Sequence, residues 1–343
     1  MTIGCARLAV LFLGVAVATW TSAATTQPAR PPAEMYKAHC ASCHEGGVPR
    51  APHAVKFQML GPVAILNALE HGVMRTQGAA LTADERRSLA EFLGGAALPA
   101  TRTVVHKRCE SRANVFDFER PPPLAGWSMT LEGTRFVDAD RAGLTPQDVP
   151  KLELKWAFAF PGATRARSQP TVGAGAVYVG SQDGTVYALD FDTGCVRWTF
   201  QADAEVRTSP TLEPWRRGDT RARPRLFFGD FDGNAYALDA RTGELQWKTR
   251  VEAHPRITIT GSPRLFEDRL YVPMSSNEWA AAADPAYECC TFRGGVTALE
   301  ASSGRVVWRS YTIPQAPTTS GERTAAGTLR RHPAGAPVWN SPT

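Results

Sequence analysis

Two hydrophobic periods divide this chain. From Val177 onward, short runs alternate β-branched and aromatic residues with small or polar ones, as in Val177-Tyr178-Val179 and Thr185-Val186-Tyr187. A period of two predicts strands with one buried face. Earlier, Leu89, Phe92 and Leu93 recur at helical spacing behind Thr82-Ala83-Asp84-Glu85, a capping box that predicts a helix start. At the beginning, Arg7 precedes an apolar run from Leu8 to Trp20 that ends at Thr21-Ser22-Ala23. That arrangement predicts a cleaved signal peptide over residues 1–23. A membrane anchor needs about 20 apolar residues; this run is shorter and leads into a Pro-rich stretch. Cys5 lies before the run and does not read as a lipid attachment site.

The strand-forming region repeats itself. Its first copy reads Val177-Tyr178-Val179-Gly180, Asp183-Gly184-Thr185-Val186-Tyr187-Ala188-Leu189-Asp190, Thr193-Gly194 and Trp198. The second reads Leu226-Phe227-Phe228-Gly229, Asp232-Gly233-Asn234-Ala235-Tyr236-Ala237-Leu238-Asp239, Thr242-Gly243 and Trp247. The third reads Leu270-Tyr271-Val272-Pro273, Gly295-Val296-Thr297-Ala298-Leu299-Glu300, Ser303-Gly304 and Trp308. Asp-Gly and Thr-Gly supply the positive-φ positions of tight hairpins, and each Trp offers a flat surface to the neighbouring repeat. Trp156, Trp198, Trp247 and Trp308 are 42, 49 and 61 residues apart. A propeller blade takes about 40–45 residues, so insertions are expected at 213–225 and 279–291. Each copy follows a Pro at its innermost strand: Pro170, Pro210 and Pro263. Asn340-Ser341-Pro342 repeats that signal, so the chain is expected to stop while starting another blade. Propellers close with about 4–8 blades, so the sequence reads as an incomplete ring.

Chemistry concentrates ahead of the repeats. In Cys40-Ala41-Ser42-Cys43-His44, two thiols can add across haem vinyl groups while the adjacent His binds iron. A redox Cys-x-x-Cys would want a βαβ unit, and a zinc site a second ligand pair; only isolated His39 and His53 stand nearby. Met74, in an irregular stretch bracketed by Gly72 and Gly78, is the expected second axial ligand. Met59 competes, and either Met could be core filler. Glu34 to Glu91 holds six acidic and six basic residues, and so small a domain has a weak core of its own. The reading is therefore a signal peptide (1–23), an all-α cytochrome c domain (24–97), a linker (98–126) with Cys109, and all-β propeller blades (127–343).

The formal charge of +5 falls to +4 without Arg7. Arg216, Arg217, Arg221, Arg223 and Arg225 cluster without interleaved aromatics, which reads as a solvated loop and not a nucleic-acid surface. Six cysteines remain after cleavage, and export permits disulfides as well as haem attachment.

The Ala-Leu-Asp-x-x-Thr-Gly-x-x-x-Trp repeat resembles that of pyrroloquinoline quinone (PQQ) dehydrogenases from about Trp127 to the end. With a cytochrome in front and Cys289-Cys290-Thr291-Phe292-Arg293-Gly294, the chain is most similar to cytochrome-fused polyvinyl alcohol dehydrogenases. Scaffold propellers of outer-membrane assembly share the repeat. The resemblance implies a periplasmic dehydrogenase of secondary hydroxyls using PQQ, Ca²⁺ and haem c, with a downstream acceptor such as a soluble cytochrome and no stable membrane anchor. It further implies a ring of bonded Cys289 and Cys290 over the quinone. In the methanol dehydrogenase branch that pair precedes most of the blades, whereas here it lies in the third repeat. Separate pairing of the two, for example with Cys109 or Cys195, or free thiols in a loop, is the alternative. The catalytic base is not identified; Asp190 and Asp239 occupy repeat positions where an acid fixes a turn. A binding scaffold without quinone, and a sugar or aldehyde dehydrogenase, are the rival functions.

Overall fold

A computed structural model describes residues 30–342, apart from 46–47, 49–50, 53, 99–105, 111–114, 124–125, 129–133, 135, 164, 283–286 and 325–326. The expected signal peptide lies outside the described residues. Among those described, no helix is long and apolar enough to cross a membrane.

Six helices come first: α1 (Pro32–His39), α2 (Ala41–His44), α3 (Ala54–Leu60), α4 (Pro62–Glu70), α5 (Arg75–Gly78) and α6 (Ala83–Gly94). They enclose one core of Met35, Tyr36, Phe57, Ile65, Leu69, Leu81, Leu89 and Ala90. The capping box forms as expected: Thr82 accepts from the Glu85 amide, and Glu85 accepts from the Thr82 amide. Of the three residues expected on the buried face of α6, Leu89 and Leu93 pack inward, whereas Phe92 is half exposed. Phe92 sits one position off the stripe that Leu89 and Leu93, four apart, define.

Glu85 also receives Arg30 at 2.7 and 2.9 Å. Arg30, then the Thr82 amide, hold its carboxyl down at about 2, against 4.5 ordinarily. Its stabilising effect is therefore complete above about pH 4.5 and is lost as pH falls towards 2. We expect Glu85→Gln to lower the melting temperature of the helical domain at pH 7, and the gap from the parent to close by pH 2. Circular-dichroism melts of both proteins across that range check it; a constant gap would remove ionised Glu85 from the account.

A short helix α7 (Ala139–Ala142) precedes the sheets. Strands β1 (Thr171–Gly173), β2 (Ala176–Gly180), β3 (Thr185–Asp190) and β4 (Val196–Gln201) form one antiparallel sheet in that order. Strands β5 (Thr211–Leu212), β6 (Arg225–Gly229), β7 (Asn234–Asp239) and β8 (Leu245–Arg250) form the next. In the third, β9 (Ile257–Thr258) and β10 (Arg264–Phe266) both pair β11 (Arg269–Ser276), followed by β12 (Gly295–Glu300) and β13 (Val306–Tyr311). The insertion between β11 and β12 carries helix α8 (Glu278–Ala281), and a hairpin, β14 (Thr318–Arg323) with β15 (Leu329–His332), follows. Tyr178, Trp198, Phe228 and Tyr236 fill the space between the first two sheets; Phe227, Trp247, Ile259 and Met274 fill that between the second and third.

The repeat is a docking code. The Nε1–H of Trp156, Trp198 and Trp247 donates to the carbonyls of Phe191, Ala240 and Ala301 in the following sheet. Each indole covers the turn glycine of that sheet: Gly194, Gly243 and Gly304, with φ of +69°, +78° and +71°. Serines join the innermost strands in the same rhythm. The Ser209 amide donates to Ser262 Oγ at 2.8 Å, and the Ser262 amide to Ser341 Oγ at 2.9 Å.

Two sequence expectations change. The linker does not run free: Arg108 bridges Val196 beside β4, and Cys109 is bonded to Cys195. That contact covers part of an outer strand whose edge would otherwise be unpaired. Arg225 is not solvated with its neighbours, because Glu213 binds its guanidinium at 2.6 and 2.9 Å. The loop between them is anchored by Trp215, whose Nε1–H donates to the Phe118 carbonyl.

Candidate redox site

The Cys40–His44 motif spans α2. Its short helix places Cys40 at the N-cap, Cys43 on the surface and His44 inside. Neither Cys40 nor Cys43 is in a disulfide; burial, then the neighbouring Cys43, push the Cys40 thiol upward. His44 is 7% exposed, and its Nδ1 lies 2.7 Å from the Pro52 carbonyl. A carbonyl only accepts, so Nδ1 carries the proton and Nε2 keeps the lone pair a metal requires. Phe57 packs 5.0 Å from the His44 ring and Tyr36 6.2 Å from Phe57, centre to centre.

Tyr36 supplies the fit test for haem. Its hydroxyl is buried and has no hydrogen-bond partner, and burial pushes its pKa up to about 12. Such an orphaned donor beside a buried His and two unbonded thiols suits a large group with polar edges. Met74 caps α5 and packs on this core together with Cys40. Met59 is not among the residues packed there, and its carbonyl accepts from Arg165.

That contact belongs to a wider one. Helix α3 lies across the ends of all three sheets. Arg165 and Gln182 reach the carbonyls of Met59 and Leu60; Lys56 pairs with Asp232 at 3.1 Å; Arg256 lies 3.4 Å from the Ala51 carbonyl; and α3 packs on α8. The Arg207 guanidinium stacks 4.0 Å over the Phe231 ring at the same end. Arg165, Arg207 and Arg256 each bury an Nε without a partner. Glu205, itself buried, accepts from Arg207 at 2.7 Å and from Arg165 at 3.5 Å; the three arginines, which precede the innermost strands, thus have one bonded carboxylate among them and leave net positive charge that suits a carboxylate-bearing planar ligand.

Cys289 and Cys290 are bonded to each other, and Cys109 to Cys195, which resolves the two pairings that the sequence left open. The vicinal pair stands in the β11–β12 insertion, at the end of the sheets covered by α3. Beside it a cavity of about 310 Å³ is lined by Glu252, His254, Thr291, Phe292, Arg293 and Tyr311. Asp190 and Asp239 are not near it in role. Asp190 binds Thr193 and Arg197, and Asp239 binds Arg241. Burial opposes their ionisation, yet these donors prevail and hold both carboxyls below the usual range. Both fix turns, as repeat acids do. Among the described residues no three His, Cys, Asp or Glu side chains gather as a metal site.

Sequence reasoning missed Glu278, His254 and the three arginines. The only signal for Glu278 was the lengthened interval from Trp247 to Trp308, which marked an insertion without saying what orders it.

The sheets match the family model described as outer membrane protein assembly factor BamB over residues 125–338. Residues 27–93 match the model described as cytochrome C oxidase, cbb3-type, subunit III. A polyvinylalcohol dehydrogenase of Pseudomonas sp is 33% identical over 326 residues, 91% of this chain and 50% of that protein. One from Sphingopyxis sp. (strain 113P3) is 34% identical over 90% of this chain and 49% of its own length. The chain thus spans about half the length of these relatives. Among solved structures, the quinohemoprotein alcohol dehydrogenase of Comamonas testosteroni matches with a TM-score of 0.44 and 24% identity, over 60% of this chain and 29% of its own. The chain belongs to the family of that first model and, with a stretch that matches a cytochrome model ahead of its sheets, is similar to polyvinylalcohol dehydrogenases along nine-tenths of its length.

Proposed function

We propose that this chain forms part of a periplasmic, PQQ-dependent alcohol dehydrogenase that passes electrons to its own haem c. The observation that carries this reading is one of placement: α3 of the helical domain lies on the same sheet ends that hold the bonded Cys289–Cys290 pair. In this reading residues 24–97 form the cytochrome and 127–343 the propeller part. Cys40 and Cys43 bind haem covalently, and His44 and Met74 are its iron ligands. Bound PQQ supplies a two-electron acceptor for the hydrogen leaving the alcohol carbon, and haem carries one electron at a time. Arg165, Arg207 and Arg256 would hold the carboxylates of the quinone, and Cys289 and Cys290 would contact it. The helical domain excludes water from that end and keeps the path to haem inside one molecule. The relatives' printed name points to hydroxyls of a polymer as substrate. A soluble cytochrome is the fitting acceptor. Calcium enters through the resemblance alone, and no step is assigned to it.

The test is a Cys289→Ala, Cys290→Ala double variant of the full-length protein, assayed with alcohol and PQQ. A bond between adjacent residues closes a minimal loop, so its entropic effect is far below the ~3 kcal/mol of a 15-residue loop. The variant should melt near the parent temperature but lose turnover or slow haem reduction. Unchanged turnover at saturating PQQ would take both residues out of the site. Absence of alcohol turnover in the parent with PQQ supplied would favour the scaffold reading.

A further inference from the structure

The contact between the helices and the sheets is mostly polar. None of the buried apolar clusters spans it: one lies wholly among the first six helices, the others on the sheet side. Val63 of α4 closes on Gly162. The bonds from Arg165, Gln182 and Arg256 all end on backbone carbonyls, which any side chain at those positions would offer. Among the described residues one ion pair crosses the contact, Lys56 Nζ to Asp232 Oδ1 at 3.1 Å.

Asp232 is available because the second sheet fixes its β6–β7 turn differently from the β2–β3 turn of the first. In the first, the matching acid, Asp183, is used within its own turn: it accepts from the Thr185 amide and the Ser181 hydroxyl. In the second, Asp230 takes that duty two residues earlier. Its Oδ1 accepts from the Asp232 and Asn234 amides, both at 2.9 Å, and its Oδ2 from the Asn234 side chain and the Tyr236 hydroxyl. The Arg250 guanidinium pins the Asp232 carbonyl as well. A turn held so firmly presents the half-exposed Asp232 carboxylate at the end of the sheet. Lys56 meets it with a side chain 14% exposed, its ammonium 5.6 Å from the centre of the Phe231 ring that Arg207 also faces. An ion pair of this kind adds little stability, but on a rigid turn it fixes how two surfaces face each other.

We propose that Lys56 and the Phe231–Asp232 turn form an electrostatic latch that sets the docked position of the helical domain, the position from which electrons leaving the sheet ends reach the haem. The electron-transfer half rests on the proposed function. There the substrate gives up two electrons and two protons; the protons leave to solvent, and the electrons cross one at a time. Between crossings the ferrous haem returns to ferric by reducing the downstream acceptor, so the latch has to hold through both. Lys56 and Asp232 are positioning residues in this scheme.

The experiment compares the full-length holoprotein with Lys56→Glu, with Asp232→Lys and with both changes together. A water-soluble carbodiimide joins an amine only to a carboxylate it touches. The parent should give a Lys56–Asp232 linked peptide by mass spectrometry, and lose it at about 1 M salt, where screening shortens to ~3 Å. The double variant should regain the link with amine and carboxylate exchanged. Alcohol-driven haem reduction should slow roughly tenfold in each single variant, where like charges face each other, and recover in the double one. Turnover with a dye that bypasses the haem should stay parental in all four. No linked peptide in the parent at low salt overturns the latch, and so does slowing that the double variant does not rescue. A rescued link with parental haem reduction throughout overturns the electron-transfer half alone. If a charge reversal does not fold, Lys56→Gln decides: its haem reduction should no longer fall with salt, and a parental salt dependence overturns the latch. Failure of the proposed function looks different, with no alcohol turnover even with the dye while the link and its salt dependence persist.

Discussion

Gly243→Val is expected to unfold or severely loosen the stack of sheets, with a fall in melting temperature of roughly 5–20 °C. Two costs add. At φ +78° any β-carbon is strained, worth about 1–3 kcal/mol. A β-carbon there would also lie 2.6 Å from Trp198 Cε3, and the indole cannot retreat, because its Nε1–H is committed to the Ala240 carbonyl. Overpacking of that kind costs about 1–3 kcal/mol, against a total stability of about 5–15 kcal/mol. A control separates the two. Gly143, at φ +63°, has nothing within 4 Å of where a β-carbon would stand, so Gly143→Ala carries the backbone cost alone. Equal losses for Gly143→Ala and Gly243→Val in the same calorimetric scan would show that the Trp-on-Gly contact contributes nothing.

The repeat could be read from the sequence because its determinants are local and recur. Asp-Gly and Thr-Gly dictate backbone conformations whatever surrounds them, and a Trp stands four residues beyond the turn glycine in each of the three copies; Trp198 and Trp247 of these make the same contact with the next sheet. The haem motif was legible for the same reason: five consecutive residues carry it. What escaped depends on partners far apart in the chain. Arg165 meets Met59, and Arg256 approaches Ala51, only because α3 lies over the sheet ends. Glu278 and His254 come together through a crossing that no periodicity announces. Phe92 shows the limit of pattern even locally, since a helical stripe drawn one residue too wide put an exposed ring inside. Arg225 shows it for charge: five clustered arginines looked equivalent, and Glu213, twelve residues upstream, singled one out.

Met74→Ala should leave haem attached but change its electronic character. Attachment rests on Cys40 and Cys43, so in the full chain, made with haem-attachment machinery, the haem should resist acid-acetone extraction in parent and variant alike. The oxidised parent should show the weak near-infrared band of sulfur bound to iron; Met74→Ala should abolish it and lower the reduction potential. Axial ligands set haem potentials over ~0.8 V, and a thioether raises them, so loss of the sulfur should show plainly in a redox titration. Met59→Ala is the informative partner. Met59 stands at the sheet contact and not among the residues packed on the core with Cys40, whereas Met74 is packed there. Its removal should therefore leave both band and potential unchanged. A band lost in Met59→Ala and kept in Met74→Ala would move the axial ligand to α3, and with it the iron to the very face on which the sheets dock. The electron path from the Cys289–Cys290 end would then be shorter than the helical core now suggests.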